Sequence, residues 1–192
     1  MQAELISILD EVRRLSTISR KLLLLAQADA GRLNVNREPF DLSRALAELL
    51  DDTRMLAPYL KVNGEIQSGL VISADGPLLQ QVLHNLITNA IKYNVKDGWV
   101  RISAVRKPKQ VEVLVANSSP GVPSTEREKI SERFYRADNA RSAHIEGAGL
   151  GLSVSREIAR AHGGEIGMHA DNDGTVQFSL LLPYVCRTAE SK

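Results

Sequence analysis

Apolar residues in the first thirty positions recur with heptad spacing. Leu5, Ile8, Val12, Leu15, Leu22 and Ala26 follow it, with Ser19 as the weak position. No proline or glycine intervenes before Gly31, so the spacing predicts one long helix over 3–30. Its stripe has two available uses: packing on the domain that follows, or forming a helical-bundle or dimer element. Residues 31–40 read as a linker ending in a short extended piece. Asp41 is placed to cap a helix over 42–57, with Leu42, Leu46, Leu49 and Leu50 on its inner side. Short strands are predicted at 61–67 and 70–73. Gly76 and Pro77 then open a second helix, 77–93. "WVRISAVRK" and "QVEVLVAN" alternate as strands do. Residues 117–147 have weak periodicity and are long for a connection, which marks them as functional. A helix over 150–162 and the strands "GGEIGMHA" and "TVQFSLLLP" close the chain. The predicted class is α+β, a two-layer α/β sandwich with helices on one face of a mixed sheet, preceded by a long N-terminal helix.

The helix over 77–93 carries a second pattern. Val82, Leu83, Leu86, Ile87, Ala90 and Ile91 fill one half of its wheel, while Gln81, Asn85, Asn89 and Lys92 gather within about 80° on another side. An amide oxygen is a hard ligand suited to Mg²⁺. Amide N–H groups donate to phosphate oxygens, and a lysine adds a point charge. The same stripe also fits an ordinary solvated helix face. Three other segments bear on the choice. In "VANSSPGVP", 115–123, Asn117 ends an apolar strand where an amide can face the edge of a heterocycle. In "EGAGLGLSV", 146–154, Gly147, Gly149 and Gly151 precede a helix, and backbone N–H groups there favour an anion. In "DGTVQF", 173–178, a turn feeds a strand bearing Thr175.

Composition narrows the classes. The chain has 192 residues, 43% hydrophobic and 4% aromatic, so the core must be built from Leu, Ile, Val and Ala. The formal net charge is +1 with no block of like charge, which argues against a nucleic-acid partner. One cysteine, Cys186, excludes an internal disulfide and has no metal-ligand spacing around it, so a reducing compartment is expected. No apolar run approaches the roughly 20 residues that span a bilayer, and the first residues lack a signal-peptide order; a soluble chain is expected, whole or cut from a longer one.

In order, the segments read N-x-x-x-N-A-x-K-Y, N-x-x-P-G-V-P, E-R-F-Y-R-A-D, G-x-G-L-G-L, H-G-G and G-T-x-x-F-x-L-x-L-P. This series strongly resembles the catalytic ATP-binding domain of sensor histidine kinases, the Bergerat (GHKL) fold, over about residues 40–184. Each piece alone is modest; their order is specific. The resemblance implies an ATP-dependent protein histidine kinase of a two-component system, with ATP and Mg²⁺ as cofactors. It makes Asn89 the Mg²⁺ ligand, Asn85 the neighbouring amide, Lys92 the phosphate-contacting lysine and Tyr93 the ring beside adenine. Asn117 occupies the position of the adenine-reading aspartate, with Gly121 in the same box. Phe134 belongs to the F box within an ATP lid, about 122–146. Gly147, Gly149 and Gly151 are similar to glycines that let lid backbone approach the triphosphate, and Thr175 to a threonine near the base.

Two departures stand out. Asn117 replaces an aspartate and Ser119 a glycine. The first weakens the adenine contact by about 1 kcal/mol and, with "ERFYRAD", is similar to heavy-metal sensor kinases. The second suggests a strained turn. Together they leave open an alternative, a degenerate ATP-binding or dimerisation module with weak or no nucleotide binding.

The implied organisation is a partial dimerisation and histidine-phosphotransfer helix at 1–31, a linker at 32–40, the ATP-binding domain at 41–185 and a tail at 186–192. "LLLLAQADAGRL" is similar to the end of that hairpin's second helix. None of His84, His144, His162 and His169 has the setting of the phosphoacceptor, which is expected outside this chain. The implied partners are a response regulator receiver domain and a second copy through the N-terminal helix. The implied location is the cytoplasmic portion of a membrane-anchored parent.

Overall fold

A computed structural model describes residues 2–122, 129–135, 148–170 and 174–184. Gly147, His144, Cys186, most of the lid span and the tail therefore lie outside the described residues. The chain order is α1 (Gln2–Asp29), β1 (Glu38–Asp41), α2 (Leu42–Leu56), β2 (Lys61–Ile66), β3 (Val71–Ala74), α3 (Gly76–Lys92), β4 (Trp99–Arg106) and β5 (Gln110–Ser118). A 3₁₀ turn at Lys129–Ser131, α4 (Gly151–Ala161), β6 (Glu165–Ala170) and β7 (Thr175–Pro183) follow.

Local chemistry sets the element starts. Asp41 accepts from Arg44 N at 3.0 Å and caps α2. Asp75 accepts from Leu78 N at 3.1 Å and caps α3, with Pro77 in the first turn, where its missing N–H costs nothing. The apolar rows then bury as the period requires: Leu42, Leu46, Leu49 and Leu50 in α2, and Leu79, Val82, Leu83, Leu86, Ile87 and Ala90 in α3.

Five strands form a mixed sheet in the order β2-β4-β5-β7-β6, with β2 and β4 parallel and the other pairs antiparallel. The parallel pair is joined through α3, as a crossover requires. β1 and β3 make a separate antiparallel pair. On β5, Val111, Val113 and Val115 face the buried side, opposite Leu182, Leu180 and Phe178 of β7. The core joins these residues to the helices and, as the composition required, is built almost wholly of Leu, Ile, Val and Ala.

α1 makes the first use of its stripe, packing on the domain that follows, over its last turns. Leu25 is buried in the core, with Ile18 and Leu24 packed against it, and this end of α1 lies along α4. Leu5, Ile8, Val12 and Leu15 remain more than half exposed.

One histidine ties two helices together. His162, at the end of α4, is 2% exposed. Its Nδ1 lies 2.8 Å from Ile158 O, which can only accept, so Nδ1 carries the proton and Nε2 accepts from Asp75 N at 3.0 Å. His162→Ala would leave that half-buried N–H without a partner and open a void. We expect a loss of about 2–4 kcal/mol in urea unfolding with an unchanged m-value. A loss within error of zero would show that the ring only fills space.

Candidate functional site

α3 sets Asn85, Asn89 and Lys92 in one row at i, i+4 and i+7. Asn85 is half-buried. Its Nδ2 donates to Gly151 O at 3.3 Å and to Ser155 Oγ at 3.1 Å, tying the row to the first turn of α4. One turn on, the half-buried Asn89 has a side-chain amide with no hydrogen-bond partner among the described residues. Lys92 and Tyr93 are exposed where α3 ends.

Asn117 continues the row of Val111, Val113 and Val115 to the end of β5 and is 1% exposed. Its Nδ2 donates to Ser118 O at 2.7 Å. Turning the amide over would set two acceptors against each other at that distance, so the orientation is fixed. Oδ1 is left without a donor among the described residues. A buried, oriented, unmatched acceptor is a poor structural element and a good receptor for an amino group.

The turn after it is not strained at Ser119. Among the described residues the non-glycine residues with positive φ are Asp97 and Phe134. Ser119 N donates to Gly174 O at 2.8 Å, and Ser119 Oγ accepts from Gly121 N at 3.2 Å. The hydroxyl thus supports the turn in which Gly121 takes φ +99. The strain expected from the serine is absent, because the positive φ falls on glycine instead.

Phe134 turns its ring outward, and its N donates to Gly149 O at 3.1 Å. Gly149, at φ +67, lies against that backbone. Gly151 begins α4 beside Asn85. Gly147 lies outside the described residues. Thr175 opens β7 opposite Ser118; register alternation sets it on the sheet face away from Asn117. The structure therefore brings together Asn85, Gly151, Phe134 and Gly149 on one side and Asn117 and Gly121 on another. Asn89, Lys92 and Tyr93 lie along the helix between them, while the Thr175 side chain is set apart.

α1 also reaches this region. Arg133 Nη1 and Nη2 donate to Asp29 Oδ2 and Oδ1 at 2.6 and 2.5 Å. The Arg133 hydrogen bond holds the Asp29 carboxyl below its ordinary value. Half-buried Lys21 is shifted below the ordinary lysine value, first by burial and then by the charge of Lys92. No pattern gave Asp29, Arg133, Asn94, Ser118 or Ser155 a role, Arg133 entering only as part of "ERFYRAD". The first four act across sequence gaps that no local period reports, and Ser155 sits at i+4 from Gly151.

Among the described residues no cluster of three His, Cys, Asp or Glu side chains could hold a metal, and no helix is long and apolar enough to cross a membrane.

Residues 74–185 match the family described as histidine kinase-, DNA gyrase B-, and HSP90-like ATPase. The chain is 35% identical over 158 residues to the probable sensor protein PcoS of Escherichia coli, covering 82% of this chain and 34% of PcoS. It therefore spans about a third of that relative's length. Among solved structures, the catalytic domain of histidine kinase ThkA is 29% identical, with a TM-score of 0.64, covering 77% of this chain and 95% of that one. ThkA in complex with response regulator protein TrrA is 26% identical with a TM-score of 0.69, covering 93% of this chain and 49% of that one.

Proposed function

Because the chain belongs to the histidine kinase-, DNA gyrase B- and HSP90-like ATPase family, we propose that it is the Mg·ATP-binding catalytic part of a two-component sensor histidine kinase. The observation that carries this reading is the Asn117 amide: buried, held by Ser118 O, and presenting Oδ1 with no donor among the described residues. That is the chemistry an adenine amino group completes.

The donor set fits the magnesium salt of a triphosphate. Mg²⁺ keeps water and phosphate oxygens and takes few protein ligands, so one amide oxygen, from Asn89, is sufficient where no acidic cluster exists among the described residues. Lys92 offers its ammonium to the phosphates, and Asn85 braces α3 against the start of α4, a helix N-terminus whose N–H groups would favour an anion. Tyr93 stands beside the base. Phe134 belongs to the lid, and Gly149 accepts from its N–H. When bound, the magnesium ion neutralises phosphate charge during phosphoryl transfer. The work of these residues is to orient the nucleotide and present its terminal phosphate.

The acceptor in this reading is a histidine imidazole outside residues 1–192. His162 is buried with both ring nitrogens engaged, while His84 and His169 are exposed but lie on α3 and β6 rather than on a phosphotransfer helix. The phosphoryl group then passes to a response regulator receiver domain, a step supported by ThkA having been solved with TrrA. The exposed row Leu5, Ile8, Val12 and Leu15 suits a second copy in the parent protein. This part lies on the cytoplasmic side of a membrane-anchored parent.

The test is calorimetry with a non-hydrolysable ATP analogue, with and without Mg²⁺, followed by incubation with γ-labelled ATP. We expect Mg²⁺-dependent binding and no label on the chain. Absence of binding would favour the degenerate module, and label on the chain would place an acceptor within it.

A further inference from the structure

Beyond the last turn of α3, two side chains use all their polar atoms on each other and on nearby backbone. Asn94 Nδ2 donates to Ala90 O and to Trp99 O, both at 3.0 Å. Ser118 Oγ donates to Asn94 Oδ1 at 2.6 Å and accepts from Trp99 N at 2.8 Å. Both side chains are at least partly withdrawn from water, Ser118 being buried.

Gly98 makes room for the pair. A Cβ there would stand 2.1 Å from Asn94 Oδ1 and 2.2 Å from Ser118 Oγ. Real carbon–oxygen contacts do not come so close, so the space taken by the two polar groups is the space a side chain at 98 would need.

The location gives the pair its meaning. Asn94 follows Lys92 and Tyr93 directly, and Ser118 follows Asn117. One stitch therefore joins the end of the helix carrying the cation and the ring to the end of the strand carrying the base-reading amide. A neutral hydrogen bond adds only about 1 kcal/mol to stability, so four of them in a closed set matter chiefly through the geometry they fix.

We propose that Asn94 and Ser118 form a positioning latch for the nucleotide, holding Lys92 and Tyr93 in register with Asn117. The proposal rests on the Mg·ATP reading of the site. Neither residue touches the nucleotide. The latch sets the span between the base end and the phosphate end, so contacts at both ends form without a further loss of chain freedom.

The test is a double-mutant cycle. The whole chain, Ser118→Ala, Lys92→Ala and the double variant are titrated with the magnesium salt of a non-hydrolysable ATP analogue, below every melting temperature. Ser118→Ala should weaken binding by roughly 5- to 10-fold. In its background, Lys92→Ala should cost distinctly less than it does in the unmutated chain, because the lysine is already out of register. A merely structural serine would lower the melting temperature yet leave the Lys92 effect unchanged. Asn94→Ala replaces Ser118→Ala in the cycle if the latter does not fold. Unaltered affinity in the serine variant, or losses that simply multiply, would overturn the latch while leaving the Mg·ATP reading standing. An unmutated chain that takes up no nucleotide would overturn both.

Discussion

Asn89→Ala is expected to lower the Mg²⁺-dependent affinity for an ATP analogue by roughly 10- to 100-fold, while affinity without the metal and the melting temperature hold. The magnitude is that of one interaction with a charged partner, about 1.5–3 kcal/mol. The selectivity follows from the site. Among the described residues no acidic or imidazole cluster can take over the ion, so the amide oxygen has no understudy. Stability should hold because the Asn89 side chain has no described hydrogen-bond partner to orphan, and alanine is the better helix former. Calorimetry with Mg²⁺ and with a chelator, alongside a thermal melt, gives all three readings. Equal losses with and without the metal would assign Asn89 to the nucleotide rather than to the ion.

Gly149→Ala should be nearly as damaging for a different reason. At φ +67 an added Cβ costs about 1–2 kcal/mol in any surroundings. Here the Cβ would also lie 2.7 Å from Tyr135 O and 2.8 Å from Phe134 C. These are backbone atoms and cannot swing aside as a side chain does. The Phe134 N to Gly149 O bond would part, and the 129–135 segment would lose its seat on the start of α4. We expect at least a 10-fold loss of nucleotide affinity, on the order of 1.4 kcal/mol, and faster proteolysis within 129–135, with the melting of the core little changed. Gly151→Ala should cost less, since its Cβ would approach Asn85 Oδ1 only to 3.6 Å. Unchanged affinity for Gly149→Ala would separate that junction from nucleotide binding.

The helices were legible because their signals are local. Asp41 caps where it was expected to, α3 opens at Gly76 and Pro77, and the apolar rows of α2 and α3 bury as their spacing dictates. The amide row of α3 was visible for the same reason. What escaped is contact between distant parts. Asn94 and Ser118 are separated by 24 residues, and Asp29 and Arg133 by 104; nothing in either neighbourhood announces the other. A heptad stripe also says that a helix face will be covered but not by what. In α1 the globular part reaches only the last turns, so Leu25 is buried while Leu5 and Leu15 are not. Ser119 misled because a serine in place of a glycine implied strain, whereas the chain moves the unusual φ to Gly121 and uses the hydroxyl as an acceptor.

The amide at 117 has a corollary for how acidity reaches this protein. A carboxylate shut away at 1% exposure would be a stranded anion before any ligand arrived, and would take up a proton as the medium soured. Carboxamide chemistry is blind to protons over that range. The floor of the base-binding region therefore trades grip for indifference, and loading should not fade with acidification on its account.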